Sequence, residues 1–121
     1  MAKRVLVADD NPLIRKALCK LFEAEKDYEI CVEATDGEEA IDLALKHRPD
    51  LIILDLSMPV LNGLEAAREI RKIMPHVPII LFTQHGNIGK AMFPIHHTVD
   101  RVVSKTDADA LMEHVRSLAP V

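Results

Sequence analysis

Short apolar runs alternate five times along the chain with longer segments whose apolar residues recur at helical spacing. The runs are Val5–Ala8, Ile30–Val32, Leu51–Leu54, Ile79–Phe82 and Val102–Val103. The first, third and fourth runs are continuously apolar, which is typical of strands that helices cover on both faces. The pattern therefore predicts a parallel sheet with a layer of helices on each face.

The intervening segments carry signals for the ends of helices. Candidate helix starts are Asn11 before Pro12, Asp36 with Glu39 at the spacing of a capping box, Asn62 with Glu65, and Thr106 with Asp107. Helical spacing places Leu45 on the buried stripe of the second helix and Ile73 on that of the third. Residues 87–98 break the pattern, because Gly86, Gly89 and Pro94 crowd the position of a fourth helix. We expect an irregular element there.

Five strand–helix units with right-handed crossovers restrict the topology to a few α/β folds. We expect a flavodoxin-like, doubly wound (βα)5 fold with a parallel sheet in the strand order 2-1-3-4-5. No linker, repeat or low-complexity segment interrupts the alternation. Residues 1–121 are therefore expected to form a single domain.

Composition narrows the classes of function. The 121 residues are 49% hydrophobic and 28% charged, which is too apolar for a disordered chain. The net charge is −4 and only four residues are aromatic, so direct nucleic-acid binding is not expected. No apolar run is long enough for a membrane span or a signal peptide, so we expect no membrane association and a cytoplasmic location.

Polar side chains follow four of the five predicted strands at the point where each strand ends. They are Asp9 and Asp10, Asp55, Thr83, and Ser104 with Lys105. Carboxyl ends of parallel strands meet at one edge of the sheet, where such folds bind their ligands. Three carboxylates repel one another unless a cation lies among them, and Mg²⁺ is suited to oxygen ligands beside a phosphate.

Taken singly, each of these residues has an ordinary structural interpretation. An aspartate after a strand is commonly a turn residue or helix cap, and a lone lysine is usually solvated. Their combination favours a site in which a carboxylate accepts a phosphoryl group as a covalent nucleophile. A metal ion and Lys105 would neutralise charge on the transferring group.

The same residues give the sequence a family resemblance along its whole length. They are Asp9-Asp10 after Val5–Ala8, the stretch Asp55-Leu56-Ser57-Met58-Pro59 followed by Asn62-Gly63, Thr83 after Ile79–Phe82, and Ser104-Lys105. With these motifs the sequence resembles the receiver domain of bacterial two-component response regulators. The first and third helical segments are most similar to receivers that carry helix-turn-helix output domains.

The resemblance implies a role for each matching residue, and a phosphoryl donor that is a histidine kinase or a histidine phosphotransfer protein. The downstream partner would be another protein or an output domain. The implied roles are phosphoacceptor for Asp55, direct Mg²⁺ ligand for Asp10 and acidic companion for Asp9, metal ligand through the main-chain carbonyl for Ser57, switch hydroxyl for Thr83, and phosphate-pairing cation for Lys105.

Several positions depart from the family pattern. Val102 stands where an aromatic switch residue is usual, and Gln84 stands where a small residue is usual. Thr106 replaces a frequent proline, and Thr98-Val99-Asp100 replaces an Ala-Gly-Ala-like turn. With Pro94, these changes fall on the part of the fold that receivers commonly use for dimerisation or output.

Alternative functions follow from these departures and from related chemistry. One is a receiver-fold interaction protein that acts without phosphorylation, and another is a receiver excised from a DNA-binding transcriptional regulator. A phosphatase of the haloacid-dehalogenase type is disfavoured, because its Asp-x-Asp motif would require an acid at Ser57. A flavin-binding relative is disfavoured because Asp9-Asp10 would repel a phosphate. We therefore expect a phosphoacceptor that is not a conventional enzyme.

Overall fold

The computed structural model of the chain describes residues 2–84 and 98–121. The strands are β1 (Lys3–Ala8), β2 (Tyr28–Ala34), β3 (Leu51–Leu54), β4 (Ile79–Thr83) and β5 (Arg101–Ser104). The helices of these residues are α1 (Pro12–Glu23), α2 (Gly37–His47), α3 (Gly63–Ile73) and α4 (Ala108–Leu118). The irregular element predicted over residues 87–98, with Pro94, lies outside the described residues except for Thr98.

The five strands form one parallel sheet in the order β2-β1-β3-β4-β5, which confirms the predicted topology. β1 and β3 are neighbours in the sheet although β2 lies between them in sequence. The chain therefore reverses its winding direction around β1, and a crevice opens at the carboxyl ends of these two strands.

Side chains alternate between two cores, one on each face of the sheet. Leu6 and Ala8 of β1 pack with residues of α2 and α3, whereas Val5 and Val7 pack with residues of α1 and α4. The same alternation runs through β3 and β4, whose residues are all buried. Burial on both faces explains why these strands read as continuous apolar runs in the sequence.

The helices begin at polar side chains that satisfy free main-chain N–H groups. The Asn11 side chain accepts from Leu13 N at 2.9 Å, and Asn62 and Glu65 form a complete capping box. The Asp36 side chain accepts from Glu39 N at 2.8 Å. The Glu39 carboxylate, however, accepts from Thr35 N rather than from Asp36 N, so the capping box predicted at Asp36 and Glu39 is only half formed.

Leu45 and Ile73 were predicted to be buried and are instead 47% and 39% exposed. Successive side chains of an α-helix are rotated by about 100° around the helix axis. In α2 the buried stripe centres on Ala40 and Ala44, with Leu43 packed beside them, and Leu45 lies outside that arc. In α3 the arc is shifted towards the buried Ala67, which leaves Ile73, the last residue of the helix, at its margin.

The turn before β5 is held by Arg71 of α3 and Asp100. The Asp100 carboxylate accepts from Ile79 N at 2.8 Å and pairs with the Arg71 guanidinium at 3.2 Å. Arg71 also donates to the carbonyl oxygens of Thr98 and Val77, at 3.0 and 2.6 Å. The unusual Thr98-Val99-Asp100 turn therefore anchors the start of β5 to β4 and α3.

No helix within residues 2–84 and 98–121 combines the length and the apolar character that crossing a bilayer requires.

Candidate functional site

Strand register brings three carboxylates together at the carboxyl edge of the sheet. Ala8 of β1 pairs with Leu54 of β3, and Asp55 N donates to Ala8 O at 2.9 Å. The residues that follow the two strands are therefore neighbours in space. One carboxylate oxygen from each of Asp9, Asp10 and Asp55 lies within 4.8 Å of the others.

Lys105, which directly follows β5, reaches this cluster with its side chain. Its ammonium group lies 2.7 Å from the Asp9 carboxylate and 3.1 Å from the Asp55 carboxylate. Ser104 of β5 pairs with Thr83 of β4, and Lys105 N donates to Thr83 O at 2.9 Å. The main chain of β4 thus holds the lysine where its side chain bridges two acids.

Burial distinguishes the three carboxylates. Asp9 and Asp55 are 2% and 5% exposed, whereas Asp10 is exposed to solvent. Burial, followed by repulsion from Asp9, raises the pKa of the Asp55 carboxyl, and Lys105 only partly offsets this. Burial lowers the pKa of Lys105, but its bonds to Asp9 and Asp55 outweigh that effect and leave it raised. The site is thus short of positive charge.

The donor set suits a hard divalent cation. Each of the three acids offers an oxygen, and Ser57 lines the same cleft. Carboxylate and carbonyl oxygens are the ligands that Mg²⁺ takes, usually together with water and phosphate oxygens. The raised pKa of Asp55 also favours a bound cation, because an added positive charge would relieve the repulsion between Asp55 and the buried Asp9.

All the residues predicted for the site line one cleft of about 220 Å³. Its walls are Asp9, Asp10, Asn11, Asp55, Ser57, Thr83, Gln84 and Lys105. Thr83 is buried at the end of β4, whereas Ser57 and Gln84 are exposed. Gln84 is one of the residues that line the cleft, so a residue that departs from the family pattern borders the site itself.

Asp9 is held at several of its polar atoms. Its main-chain N–H donates to Ala34 O at 3.1 Å, and its carboxylate accepts from Asn11 N at 2.9 Å. The Arg15 guanidinium of α1 donates to the Asp9 carbonyl at 2.6 Å. Sequence reasoning missed Arg15, because its position in an amphipathic helix does not distinguish it from a solvated basic residue.

The loop between β3 and α3 is packed too tightly for side chains at two glycines. A Cβ atom at Gly63 would lie 2.1 Å from Asp55 O, and one at Gly37 would lie 2.1 Å from Leu61 O. Gly63 was singled out from the sequence and Gly37 was not, because only the tertiary fold brings α2 against this loop. Within it, the exposed Val60 has φ of 71°, a strained value for a β-branched residue.

Comparison with known proteins places these features in a family. The chain matches the response regulator receiver domain model over residues 5–116. It is 44% identical over 91 residues to the transcriptional regulatory protein PdtaR of Mycobacterium tuberculosis, covering 74% of this chain and 44% of that protein. It is 30% identical over 117 residues to the transcriptional regulatory protein DegU of Brevibacillus brevis, covering 96% of this chain and 50% of that protein.

A solved structure with a similar fold is that of the response regulator TrrA of Thermotoga maritima, in complex with Mg²⁺ and BeF. It has a TM-score of 0.86 and 39% identity, covering 96% of this chain and 98% of that one. This chain spans half or less of the length of PdtaR and DegU. Because the family model extends from the first core strand into the last helix, this protein belongs to the receiver domains of two-component response regulators.

Proposed function

We propose that Asp55 is the phosphoacceptor of this receiver, and that its phosphorylation alters the binding of a partner in a phosphorelay. The observation that carries the proposal is the position of Lys105, whose ammonium bridges Asp9 and Asp55 beside the exposed Asp10. A buried carboxylate flanked by a fixed cation and open to a cleft can act as a nucleophile towards phosphorus.

Mg²⁺ is the metal that this site is proposed to take. Asp9, Asp10, Asp55 and the main-chain carbonyl of Ser57 would hold it, Asp9 in part through water. When bound, the ion supplies positive charge that neutralises the phosphoryl oxygens. The TrrA complex with Mg²⁺ and BeF supports this assignment by family likeness.

The protein's own groups account for the remaining chemistry. An Asp55 oxygen attacks phosphorus as the bond from phosphorus to the donor histidine nitrogen breaks, and that nitrogen keeps the electron pair. Lys105 would pair with a phosphoryl oxygen, since it already contacts Asp55. Thr83, at the end of β4, would donate a hydrogen bond from its hydroxyl to a second phosphoryl oxygen. No proton needs to leave Asp55, because the nucleophile is the ionised carboxylate.

The proposed partners follow from this chemistry. A histidine kinase or a histidine phosphotransfer protein would supply the phosphoryl group in the cytoplasm, and a protein partner or an output domain would respond. Ser57 stands two residues after Asp55, where a phosphatase of the aspartyl class needs a carboxylic acid. We therefore propose a switch that catalyses at most its own phosphorylation and dephosphorylation, and does not turn over phosphate esters.

Intact-mass spectrometry after incubation with acetyl phosphate and MgCl₂ tests this proposal. The wild-type chain should gain the mass of one phosphoryl group, and Asp55→Asn and excess EDTA should each abolish the gain. Asp42→Asn is the matched control, because Asp42 is an exposed aspartate of α2 away from the cleft. Equal labelling of wild type and Asp55→Asn would show that Asp55 is not the acceptor.

A phosphorylation-independent interaction protein is the second candidate, because Gln84, with a long amide side chain where a small residue is usual, lines the cleft. The same mass measurement on Gln84→Ala distinguishes the two candidate functions. A faster gain of mass than in wild type would mean that Gln84 restricts access to Asp55. No gain of mass in either chain would favour the second candidate.

A further inference from the structure

Asp10 is the least constrained member of the acidic cluster. It is exposed and follows the last residue of β1 by two positions. Within residues 2–84 and 98–121 its side chain makes no hydrogen bond or ion pair, in contrast to Asp9 with its bonds to Asn11 and Lys105. The direction in which Asp10 points therefore depends on the main chain that carries it.

That main chain is fixed by Arg15. The Arg15 guanidinium donates to the carbonyl oxygen of Asp9 at 2.6 Å. This carbonyl belongs to the planar peptide unit that joins Asp9 to Asp10. Holding its oxygen restrains the rotation of that plane, and with it the direction of the Asp10 Cα–Cβ bond.

Arg15 is itself fixed by Glu33 of β2. Its Nε lies 3.2 Å from one Glu33 oxygen, and the Cys19 thiol donates to the other oxygen at 3.6 Å. The Arg15 side chain is only 18% exposed. Because a guanidinium is rigid and planar, fixing Nε also fixes the nitrogen that reaches Asp9. Strand β2 and helix α1 thus together restrain the loop that carries the acids.

We propose that Arg15, oriented by Glu33, is a positioning residue that aims Asp10 into the cleft and so sets the affinity of the site for Mg²⁺. This proposal rests on the proposed function, which assigns Mg²⁺ to Asp9, Asp10 and Asp55. Arg15 does not line the cleft. It would act only through the peptide unit between Asp9 and Asp10.

Charge and positioning predict opposite effects of an Arg15 substitution on Mg²⁺ affinity. Replacing Arg15 by a neutral residue removes a positive charge near the acids, and charge alone would strengthen cation binding. Loss of positioning would weaken it. Substitution of groups that orient metal ligands typically costs at least about tenfold in affinity. For Arg15→Gln we therefore expect about tenfold weaker Mg²⁺ binding.

The experiment is a titration of the uniformly ¹⁵N-labelled chain with MgCl₂ in the absence of any phosphodonor. Amide chemical shifts of Asp10, Asn11 and Ser57 report Kd, and the rest of the spectrum reports whether each variant is folded. Arg4→Gln is the matched control. Arg4, at the opposite end of β1, also donates a guanidinium hydrogen bond to a carbonyl, that of His47, at 2.6 Å. Its substitution should leave Kd unchanged.

Two further variants separate charge from position. Arg15→Lys keeps the charge but lacks the fork that reaches Glu33 and Asp9 together, so it should also weaken binding. Glu33→Gln should weaken binding in the wild-type background and have no further effect in Arg15→Gln, because Glu33 would act through Arg15.

The outcomes distinguish this inference from the proposed function. Unchanged or tighter Mg²⁺ binding in a folded Arg15→Gln chain would overturn the positioning role and leave the proposed function intact. Absence of Mg²⁺ binding in the wild-type chain would instead overturn the metal site itself. A tenfold loss in Arg15→Gln with an unchanged Arg4→Gln would support the proposal.

Discussion

Asp55 is held through its main chain as well as through its carboxylate. Its N–H donates to Ala8 O, and its carbonyl lies against the Cα of Gly63, at the first residue of α3. Gly63 N donates to Leu56 O at 2.8 Å, which closes the loop on itself. The absence of a side chain at Gly63 therefore sets how closely α3 approaches Asp55.

Gly63→Ala is expected to destabilise the fold and displace Asp55. The added methyl group would meet Asp55 O at 2.1 Å, and backbone cannot move aside as a flexible side chain can. Overpacking of this kind costs about 1–3 kcal/mol of unfolding free energy. Urea denaturation measures that loss, and mass spectrometry measures slower phosphorylation by acetyl phosphate.

The control for this variant is Ala108→Gly, at the equivalent first position of α4, where the residue is exposed. It makes the reverse change at an exposed position and should cost at most about 1 kcal/mol through helix propensity. Wild-type stability and phosphorylation in Gly63→Ala would contradict the tight approach of α3 to Asp55.

At the scale of elements, Tyr28 joins the beginning of β2 to the end of α4. Its hydroxyl donates to Ala119 O at 2.7 Å, and its ring packs edge-on against Phe22 with centroids 6.4 Å apart. The hydroxyl is buried, so burial, followed by repulsion from Asp27, raises the pKa of Tyr28. This one side chain ties α4 to the far edge strand of the sheet.

Tyr28→Phe should lower the free energy of unfolding by about 1 kcal/mol, because the ring still packs while Ala119 O loses its donor. The raised pKa adds a dependence on pH. A group whose pKa is raised by folding stabilises the fold below its unfolded pKa, and that contribution is lost as pH rises through the folded pKa. The penalty of Tyr28→Phe should therefore shrink above about pH 10.

Denaturant titrations of both chains between pH 7 and pH 11 would measure this difference. A penalty that stays constant over the whole range would show that Tyr28 does not titrate with the fold.

At the scale of the whole molecule, the fold places uncompensated negative charge at one edge of the sheet. The chain has a net charge of −4, and two of its acids are buried together with Lys105 as the cation between them. The raised pKa of Asp55 means that its ionised form is less favourable in the fold than in the unfolded chain. Without a metal ion, the ionised Asp55 carboxylate therefore lowers stability at neutral pH.

Asp55→Asn is expected to raise the thermal unfolding midpoint at pH 7 in EDTA, since asparagine cannot ionise. The raised pKa of Asp55 gives wild type a contribution to stability at low pH. That contribution is fully present below the ordinary pKa of 3.8 and is lost as pH rises through the pKa in the fold. The advantage of Asp55→Asn should therefore fade towards that low pH. Added Mg²⁺ should stabilise wild type more than the variant.

Scanning calorimetry of wild type, Asp55→Asn and the exposed control Asp42→Asn measures these midpoints. A lower midpoint for Asp55→Asn at pH 7 in EDTA would show that the bridge from Lys105 outweighs the cost of burial and of repulsion from Asp9.

Local sequence was sufficient for the strands and the predicted site residues of the cleft, and the strand order was expected from the flavodoxin-like group of folds. The continuous apolar runs at Leu51–Leu54 and Ile79–Phe82 correspond to strands whose residues are all buried. Asp9, Asp55 and Lys105 could be placed together because each follows a strand, and parallel strands end at one edge. Helical spacing was less reliable at Leu45 and Ile73, since it fixes angles around a helix but not which arc faces the sheet.

The sequence alone thus determined the α/β fold and which polar groups share the cleft, because strand periodicity and strand-end positions are local properties. The strand order was expected from the fold group that five strand–helix units indicate. Only the tertiary structure decided how those groups are held. Arg15 reaches Asp9 O, Gly37 meets Leu61 O, and Arg71 clamps the turn at Thr98. The last two contacts join segments that are distant in sequence, so no local pattern could have indicated them. Arg15 is only six residues from Asp9, but its orientation comes from Glu33 of β2, which the chain brings beside it only in the folded sheet.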